Sequence, residues 1–367
     1  MIHEATAGYP ADAELHVDLG AIVANWRRVQ AQASGAECAA VVKADGYGLG
    51  AGTVASALAA AGCRSFFVAT LEEGAELRAV LPQPRILVLN GLRPDSAAAY
   101  DAHALQPVLN TEKQVRAWAA HGRNRPQPAP AAIQLDTGMT RLGLPPDHYL
   151  GLFDDGTLPA AFPVSLVMSH LACSDDPENP QNARQRAVFD RLRARHPAVP
   201  HSLAASSGVL LGADFHYDLV RPGIALYGGN PIAGRDNPYQ PVVTLCARIL
   251  QVHEITRPGA VGYGATFPTT VGSRIATLGT GYADGYFRHL GDRSSVYRDG
   301  RPLPVVGRVS MDMLAVDIGS LSPDELGEGD WLELLNEHCT IDDLAAAGGT
   351  IAHEVLTQIG RRYRRTY

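Results

Sequence analysis

A lysine closes an apolar run of the kind that forms a buried β-strand. Lys43 lies in the segment VVKADGYGLG, residues 41–50, which continues into a turn with three glycines. An amine at the end of a buried strand must be desolvated or paired, which shifts its pKa, and such an amine can form a Schiff base with a carbonyl compound. The glycines let the backbone come close to a ligand. They weaken the alternative interpretation, an ordinary surface lysine at a strand end.

Two further segments place polar side chains after apolar runs. Arg141 lies in LDTGMTRLG, residues 135–143, where its guanidinium could bind a substrate carboxylate and Asp136 could hold a neighbouring group. His170 follows the run that ends in VMS. Each has an ordinary alternative, a surface arginine in a loop or a structural histidine. These segments support a site without deciding its chemistry.

Groups that can bind an anion follow two late runs. Ser206 and Ser207 open a predicted helix, where hydroxyls and backbone N–H groups could bind an anion, and Arg221 follows in the segment RPGI. Loops after the last strands of a barrel often bind phosphate. A phosphate there and a Schiff-base lysine across the barrel together indicate pyridoxal 5'-phosphate as the cofactor.

Two clusters lie nearer the C-terminus. Tyr263 stands between two glycines in GYGATF, residues 262–267, and RVSMDM covers residues 308–313. A tyrosine in this setting is often a turn residue. Since its ordinary pKa is about 10, it needs nearby cations before it can accept a proton at neutral pH.

Short apolar runs alternate with segments of helical periodicity from about residue 14 to 230. This alternation predicts right-handed β-α-β crossovers and a parallel sheet, in the α/β class. About eight units in this length favour a closed (β/α)8 barrel of the TIM type over an open sheet. One of the nine runs must lie outside the barrel, and the first or the last is expected to be the extra one. The runs are Leu15–Leu19, Cys38–Val42, Ser65–Ala69, Arg85–Leu89, Leu105–Leu109, Ala131–Leu135, Val164–Ser169, Ser202–Ala204 and Ile224–Tyr227.

The pattern changes near residue 230, where GGNP begins a stretch rich in glycine and proline. β-type runs with turn signals follow and predict a smaller, mostly β domain. The expected domains are residues 12–232 for the barrel that binds the cofactor, and residues 233–367 together with 1–11 for the β-rich domain.

Composition excludes several classes of protein. The chain has 367 residues, 46% of them hydrophobic, and a formal net charge of −7, so it can bury a core and shows no general nucleic-acid surface. The apolar runs are too short to span a membrane, and the N-terminus lacks the pattern of a secretory signal, so we expect a cytoplasmic protein. The five cysteines have no CxxC spacing, so neither a disulfide framework nor a metal site is expected.

Taken together, the motifs resemble those of the alanine racemases, which are barrel-type pyridoxal-phosphate enzymes. The matching segments are VVKADGYG, LDTGMTRLG, SHLACSD, RPGIALYG, GYGATF, GYADGY and GRVSMDM, in this order between residues 41 and 313. GYGATF and SMDM separate the racemase from other cofactor-binding barrels. The resemblance implies a homodimer that interconverts L- and D-alanine with two bases, either supplying D-alanine for cell-wall synthesis or degrading it.

The resemblance implies a role for each matched residue. Lys43 is expected to bind the cofactor covalently and to act as the base on the D-face, whereas Tyr263, supplied by the partner subunit, acts on the L-face. Arg221 is expected at the pyridine nitrogen, which it cannot protonate, and His170 links Arg221 with Tyr263. The implied cofactor-binding residues are Lys43, Tyr47, His170, Ser206, Ser207, Arg221, Gly223, Ile224 and Tyr227. The implied substrate-binding residues are Arg141, Met311, Asp312 and Tyr282, the last in the entrance channel.

The sequence departs from the family pattern at three places. Gln134 stands where many members have a carbamylated lysine that orients the carboxylate-binding arginine. A neutral amide supplies no negative charge, so another anion such as chloride, or a looser Arg141, is expected. Ser206 replaces an asparagine that is common before the phosphate-binding serine. The C-terminal RRYRRTY follows the family only loosely, and no role is assigned to Tyr363 or Tyr367.

Three other functions remain open. One is a racemase for another amino acid such as serine, or one of broad specificity. A second is a non-enzymatic barrel that stores or delivers the cofactor, which would need Lys43 but not Tyr263. A third is a barrel decarboxylase, which would typically use a cysteine in the β-rich domain, although Cys246 and Cys339 lie outside any recognised motif.

Overall fold

The computed structural model describes residues 11–33, 35–123, 127–156, 158 and 162–367. The chain divides into two compact units. We call Ile22–Gln240 the barrel unit, and the residues before Ile22 together with Pro241–Tyr367 the sheet unit. These bounds differ from the expected domains, since residues 12–21 join the sheet unit and residues 233–240 join the barrel unit. Residues 1–10, which were expected to belong to the β-rich domain, lie outside the described residues.

The first strand, β1 (Ala13–Val17), belongs to the sheet unit, and the next nine strands form the barrel. They are β2 (Glu37–Cys38), β3 (Ala40–Val41), β4 (Ser65–Val68), β5 (Arg85–Val88), β6 (Gln106–Leu109), β7 (Ala131–Gln134), β8 (Val164–Met168), β9 (His201–Ser202) and β10 (Leu219–Val220). Strands β3 to β9 pair side by side in chain order, all in parallel. Strand β10 pairs with β2, and the Asp218 N–H donates to the His201 carbonyl at 3.0 Å, which joins β10 to β9. Since β2 and β3 are successive parts of one strand position, eight positions close the ring and confirm the expected barrel.

Helices occupy the connections between these strands. They are α1 (Leu19–Gln32), α2 (Lys43–Tyr47, whose backbone is left-handed at residues 44–47 and forms a turn), α3 (Ala51–Ala60), α4 (Leu71–Val80), α5 (Ala97–Ala102), α6 (Glu112–Gly122), α7 (Pro146–Asp154), α8 (Pro180–Arg193) and α9 (Ser206–Val209). The sequence sets several helix starts, because Thr70 and Thr111 accept hydrogen bonds from N–H groups in the first turns of α4 and α6, each at 3.2 Å. Strands β4 and β7 are buried at every residue, as expected for a parallel barrel whose strands are covered on both faces.

Two of the nine apolar runs are not barrel strands. The first contains β1, which pairs with strands of the sheet unit, and the last, Ile224–Tyr227, forms a 3₁₀ helix. The eighth barrel position is filled by β10, which the sequence pattern missed. This strand has only two residues and is followed at once by Arg221-Pro222, so it is too short for a periodic signal.

The sheet unit contains an eight-stranded sheet in the order β14-β17-β16-β15-β18-β11-β1-β19. Its strands after β1 are β11 (Val243–Glu254), β14 (Arg274–Leu278), β15 (Ser295–Arg298), β16 (Arg301–Val306), β17 (Leu314–Asp317), β18 (Trp331–Leu335) and β19 (Arg364–Thr366). The pairings are antiparallel except that of β1 with β19, and an added pairing of β14 with β11 closes six strands into a ring. Strand β11 alternates buried and half-buried residues along its first half, as an antiparallel strand with one covered face does. The expected mostly β domain is confirmed.

Smaller elements complete the sheet unit. A separate hairpin joins β12 (Gly259–Val261) to β13 (Phe267–Thr269), and two helices, α10 (Ile341–Gly348) and α11 (Ala352–Gln358), precede β19. Among the described residues, no helix has the length and apolar character to cross a membrane. The same residues contain no group of three or more metal-binding side chains.

Candidate active site

The turn that follows β3 is left-handed. Residues 44–47 have φ values of 53°, 53°, 63° and 58°, and three of the four are not glycine. Left-handed backbone costs about 1–2 kcal/mol for each such residue. The turn is held in place because the Gly46 N–H donates to the carbonyl of Val42 and the Asp45 carboxylate accepts from the N–H of Ala51, both at 2.9 Å. Strain of this kind is frequent at functional sites, and here it begins at Ala44, directly after Lys43.

Lys43 is half-buried at the start of that turn. Burial lowers the pKa of its amine below the ordinary value, the charge of Arg141 lowers it further, and the Glu73 carboxylate acts in the opposite direction. A lower pKa leaves more of the amine unprotonated at neutral pH. The local structure is therefore suited to a lysine that acts as a nucleophile or a base.

Two tyrosines stack inside the barrel unit. The rings of Tyr47 and Tyr227 have centroids 4.5 Å apart with 27° between their planes, and the Tyr227 hydroxyl donates to the Val41 carbonyl at 3.1 Å. A Cβ at Gly223 would lie 3.0 Å from Cζ of Tyr47 and would overlap its hydroxyl oxygen. Only glycine therefore fits at position 223, and the phenol lies directly against the backbone there.

Hydroxyl groups collect beside Gly223. The Ser206 hydroxyl accepts from the N–H of Gly223 at 2.9 Å and from the N–H of Ala225 at 3.3 Å. The next residue, Ser207, shares a hydrogen bond of 2.6 Å with the hydroxyl of Ser174. Ser206 thus supports the backbone of the RPGI loop, on which Ile224 is the next residue. The structure brings together the residues expected to bind the phosphate.

Arg221 is buried, with 3% of its surface exposed. Its guanidinium donates to the hydroxyl of Ser202, to the carbonyl of Ser169 at 2.6 Å and to the carbonyl of Leu203 at 3.3 Å. These acceptors are all neutral. Burial lowers the pKa of Arg221 to about 9, so the guanidinium still carries its charge at neutral pH.

His170 lies close to this cation. Burial lowers the pKa of His170 to about 3, and the charges of Arg221, Arg141 and Lys43 act in the same direction, so the imidazole is neutral near pH 7. Its carbonyl accepts from the buried amide of Gln185 at 2.9 Å, which fixes the backbone of the loop. All four residues belong to the barrel unit, and the charges of Lys43, Arg141 and Arg221 all act on the His170 imidazole.

Arg141 lies exposed on the loop after β7. The Asp136 carboxylate accepts from the N–H groups of Gly138, Met139 and Thr140, at 2.9, 3.0 and 3.1 Å, and so shapes this loop. Gln134 donates to the carbonyl of Leu142 at 3.0 Å. Its amide therefore fixes the backbone next to Arg141, a role that was not among the expectations for this position.

Tyr263 lies on the tip between β12 and β13 and is 68% exposed. Its neighbours Gly262 and Gly264 have φ values of 65° and 78°. A Cβ at Gly264 would lie 2.9 Å from a guanidinium nitrogen of Arg308, so the second motif packs against the first. The arrangement presents a large phenol to solvent on its own unit.

The Tyr282 and Met311 segments are joined through their backbones. The Tyr282 N–H donates to the carbonyl of Ser310 at 3.0 Å, and the Ala283 N–H donates to the carbonyl of Met311 at 2.9 Å. Tyr282 and Met311 are 41% and 53% exposed. The sheet unit therefore brings GYADGY and GRVSMDM together. Arg308 of the second segment also packs against GYGATF.

The sequence missed the residue that braces these loops. Arg362 donates to both carboxylate oxygens of Asp284, at 2.6 and 2.8 Å, and to the carboxylate of Asp312 at 2.7 Å. The side chain of Asp284 is 6% exposed and also accepts from the N–H of Gly281 at 3.0 Å. Next to it, the buried Tyr363 shares a hydrogen bond of 2.7 Å with Thr280. No periodic or motif signal in the basic tail distinguishes these two residues.

Replacing Arg362 by methionine is expected to lower the free energy of unfolding by about 1–3 kcal/mol, because a buried carboxylate would lose its charged partner. Chemical denaturation measures the change, and faster amide hydrogen exchange is expected in residues 281–285 and 308–313. Arg364 is the matched control, since it pairs on the surface with Glu14. Its replacement by methionine should cost about 0.5 kcal/mol or less. Equal losses in the two variants would show that the brace has no special role.

The structure thus separates the predicted site residues into two sets. The barrel unit carries the residues expected to bind the cofactor, with Arg141. The sheet unit carries Tyr263, Tyr282, Met311 and Asp312. Each set is assembled by contacts within its own unit.

The chain matches two family descriptions, "Alanine racemase, N-terminal domain" over residues 17–231 and "Alanine racemase, C-terminal domain" over residues 242–367. Among curated relatives, the catabolic alanine racemase of Mesorhizobium japonicum is 46% identical, over 100% of this chain and 95% of its own length. The biosynthetic alanine racemase of Agrobacterium fabrum is 42% identical, over 100% of this chain and 96% of its own length.

A comparison with solved structures leads to the same family. The crystal structure of alanine racemase from Bartonella henselae with covalently bound pyridoxal phosphate superposes with a TM-score of 0.92 at 40% identity, covering 98% of this chain and 100% of that one. The two family descriptions together cover nearly all of the sequence. With the barrel, the strand-rich second unit and the motif loops in place, this chain belongs to the alanine racemase family.

Proposed function

We propose that this chain uses pyridoxal 5'-phosphate to interconvert L-alanine and D-alanine. The observation that carries the proposal is Lys43, a half-buried amine with a lowered pKa at the start of a strained turn. Membership of the alanine racemase family supports the same reaction.

The donor groups of the barrel unit suit this cofactor. The Lys43 amine fits its aldehyde, the hydroxyls near Gly223 and the Ile224 N–H fit its phosphate, and the buried Arg221 guanidinium fits a ring nitrogen. The Bartonella henselae relative has pyridoxal phosphate bound covalently, which supports the assignment. When bound, the cofactor would withdraw electrons from the α-carbon of the amino acid and make its hydrogen acidic.

The residues of this chain would then position the substrate and move one proton. Arg141 and the Met311 N–H would bind the substrate carboxylate, and Asp312, held by Arg362, would fix the loop beside Met311. The Lys43 amine, whose pKa is lowered, would remove or return the α-hydrogen on the D-face. His170 would stay neutral during the reaction, so the total charge next to Arg221 would not change.

Tyr263 would serve the opposite face from a second subunit. Its high exposure on its own unit supports this assignment, because a large phenol held on a glycine-flanked tip gains packing only when another surface covers it. A site completed in this way would make a homodimer with twofold symmetry obligatory. In the cell, the enzyme would either supply D-alanine for wall synthesis or degrade it.

Absorption and optical rotation test the function together. The purified protein is expected to be yellow and to abolish the optical rotation of L-alanine, with little effect on L-serine and none on L-ornithine. A yellow protein without racemisation would instead be a cofactor carrier, and carbon dioxide release from L-ornithine would identify a decarboxylase. A protein that binds no pyridoxal phosphate at all would contradict the proposal.

A further inference from the structure

Glu73 connects two parts of the barrel unit through one carboxylate. It lies in the first turn of α4, where one oxygen accepts from the N–H groups of Ala69 at 2.7 Å and Thr70 at 3.4 Å. The other oxygen accepts from the N–H of Ala44 at 2.8 Å, a residue 29 positions away in the sequence. Ala44 is the first residue of the left-handed turn and follows Lys43 directly.

A capping box alone does not explain both contacts. In α10, Asp343 forms a similar box with Thr340, and within the described part of the chain its carboxylate accepts only from the N–H and the hydroxyl of that residue. One carboxylate oxygen of Glu73 forms the capping box, and the other accepts a hydrogen bond from the strained turn. The second bond restrains the backbone at the position that fixes the direction of the lysine side chain.

The charges around Lys43 give this carboxylate a second effect. Arg141 on the loop after β7 and His170 after β8 interact electrostatically with the lysine, and Arg221 after β10 interacts with His170. His170 is neutral near pH 7, so the charges that act on the amine are the cation of Arg141 and the carboxylate of Glu73. A negative charge among them stabilises the ammonium form.

We propose that Glu73 is a positioning residue for Lys43, fixing the backbone beside it and offsetting the charge of Arg141 at its amine. The inference rests on the proposed function, since it assigns Lys43 the task of binding the cofactor. It adds a residue from the ATLEEG segment, which none of the matched motifs contains.

The test follows covalent binding of pyridoxal phosphate by the cofactor-depleted full-length protein. In this step the unprotonated Lys43 amine adds to the aldehyde carbon and water leaves, so the rate rises with pH as the amine loses its proton. In Glu73→Gln the midpoint of this rise is expected to move down by about one pH unit, because the ammonium form loses its carboxylate. The pH profile of absorbance of the loaded protein should move in the same direction.

Glu72 supplies a matched control one residue earlier. Its carboxylate is exposed and pairs with Arg93 at 2.8 Å, so Glu72→Gln should leave the midpoint unchanged. A midpoint in Glu73→Gln equal to that of the wild type and of Glu72→Gln would overturn the proposal. If the wild type itself binds no pyridoxal phosphate, the proposed function fails instead, so the two failures are distinguishable.

Glu73→Asp separates charge from geometry. It keeps the negative charge but is one methylene shorter, so it cannot reach both the Ala44 and the Ala69 N–H groups. We expect slower covalent binding with a midpoint nearer to the wild type than that of Glu73→Gln. A midpoint as low as that of Glu73→Gln would show that altered packing, rather than charge, controls the amine, and would overturn the electrostatic part.

Discussion

Replacing Lys43 by alanine is expected to give a colourless protein whose racemisation of L-alanine falls by about 10⁴-fold or more. The variant removes both the amine that would bind the cofactor covalently and one of the two proposed bases. The fold should survive, because the turn after β3 is held by backbone bonds and by Asp45 rather than by the lysine side chain. The absorption spectrum, circular dichroism and polarimetry of the same sample separate these effects.

The sequence offers an unusually clean control for this variant. It contains only two lysines, Lys43 and Lys113, and the second is exposed on α6. Lys113→Ala should stay yellow and fully active. After borohydride reduction of the wild type, mass spectrometry should find pyridoxal phosphate attached only to the peptide with Lys43. Colour and activity retained in Lys43→Ala, or label on Lys113, would remove the basis of the proposed function.

The barrel could be predicted because its strands leave a simple signal. Strand β4, with the sequence SFFV, is buried at every position, and such runs stand out between helical segments. Strand β10 leaves no such signal because two residues are too few for a period. Strand β1 carries a normal strand pattern, but the pattern does not state which sheet it joins. Its partner β11 begins more than two hundred residues later.

The sequence also reveals only those site residues whose signal is local to the chain, and it misses those that depend on contacts between distant segments. Lys43 and Arg141 were indicated by their place after apolar runs, a local property of the chain. Glu73 was not, because the spacing from Thr70 predicts only a helix cap. Its bond to Ala44 depends on the pairing of β3 with β4, which sets the two strand ends side by side. Arg362 was missed for a similar reason, since its partner Asp284 lies 78 residues away.

Tyr263→Phe is expected to abolish removal of the α-hydrogen from L-alanine while sparing that from D-alanine. Phenylalanine keeps the ring and its packing but cannot take or give a proton, so only the step on the L-face is lost. In deuterium oxide, exchange at the α-carbon of L-alanine should fall by about 10²–10⁴-fold, whereas D-alanine should still exchange through Lys43. Tyr282→Phe is the matched control, since this exposed tyrosine of the same unit is assigned no proton transfer and should affect both enantiomers alike.

Mixed dimers decide whether the phenol and the amine of one site come from different subunits. A Lys43→Ala subunit still carries Tyr263, and a Tyr263→Phe subunit still carries Lys43. If the subunits share sites, each mixed dimer regains one site with both groups intact, so co-expressing the two inactive variants in equal amounts should restore about a quarter of the wild-type activity. If both groups of a site belong to one chain, every site in the mixture lacks one base and no activity returns. Equal loss of exchange for the two enantiomers in Tyr263→Phe would likewise contradict the assignment of one base to each face.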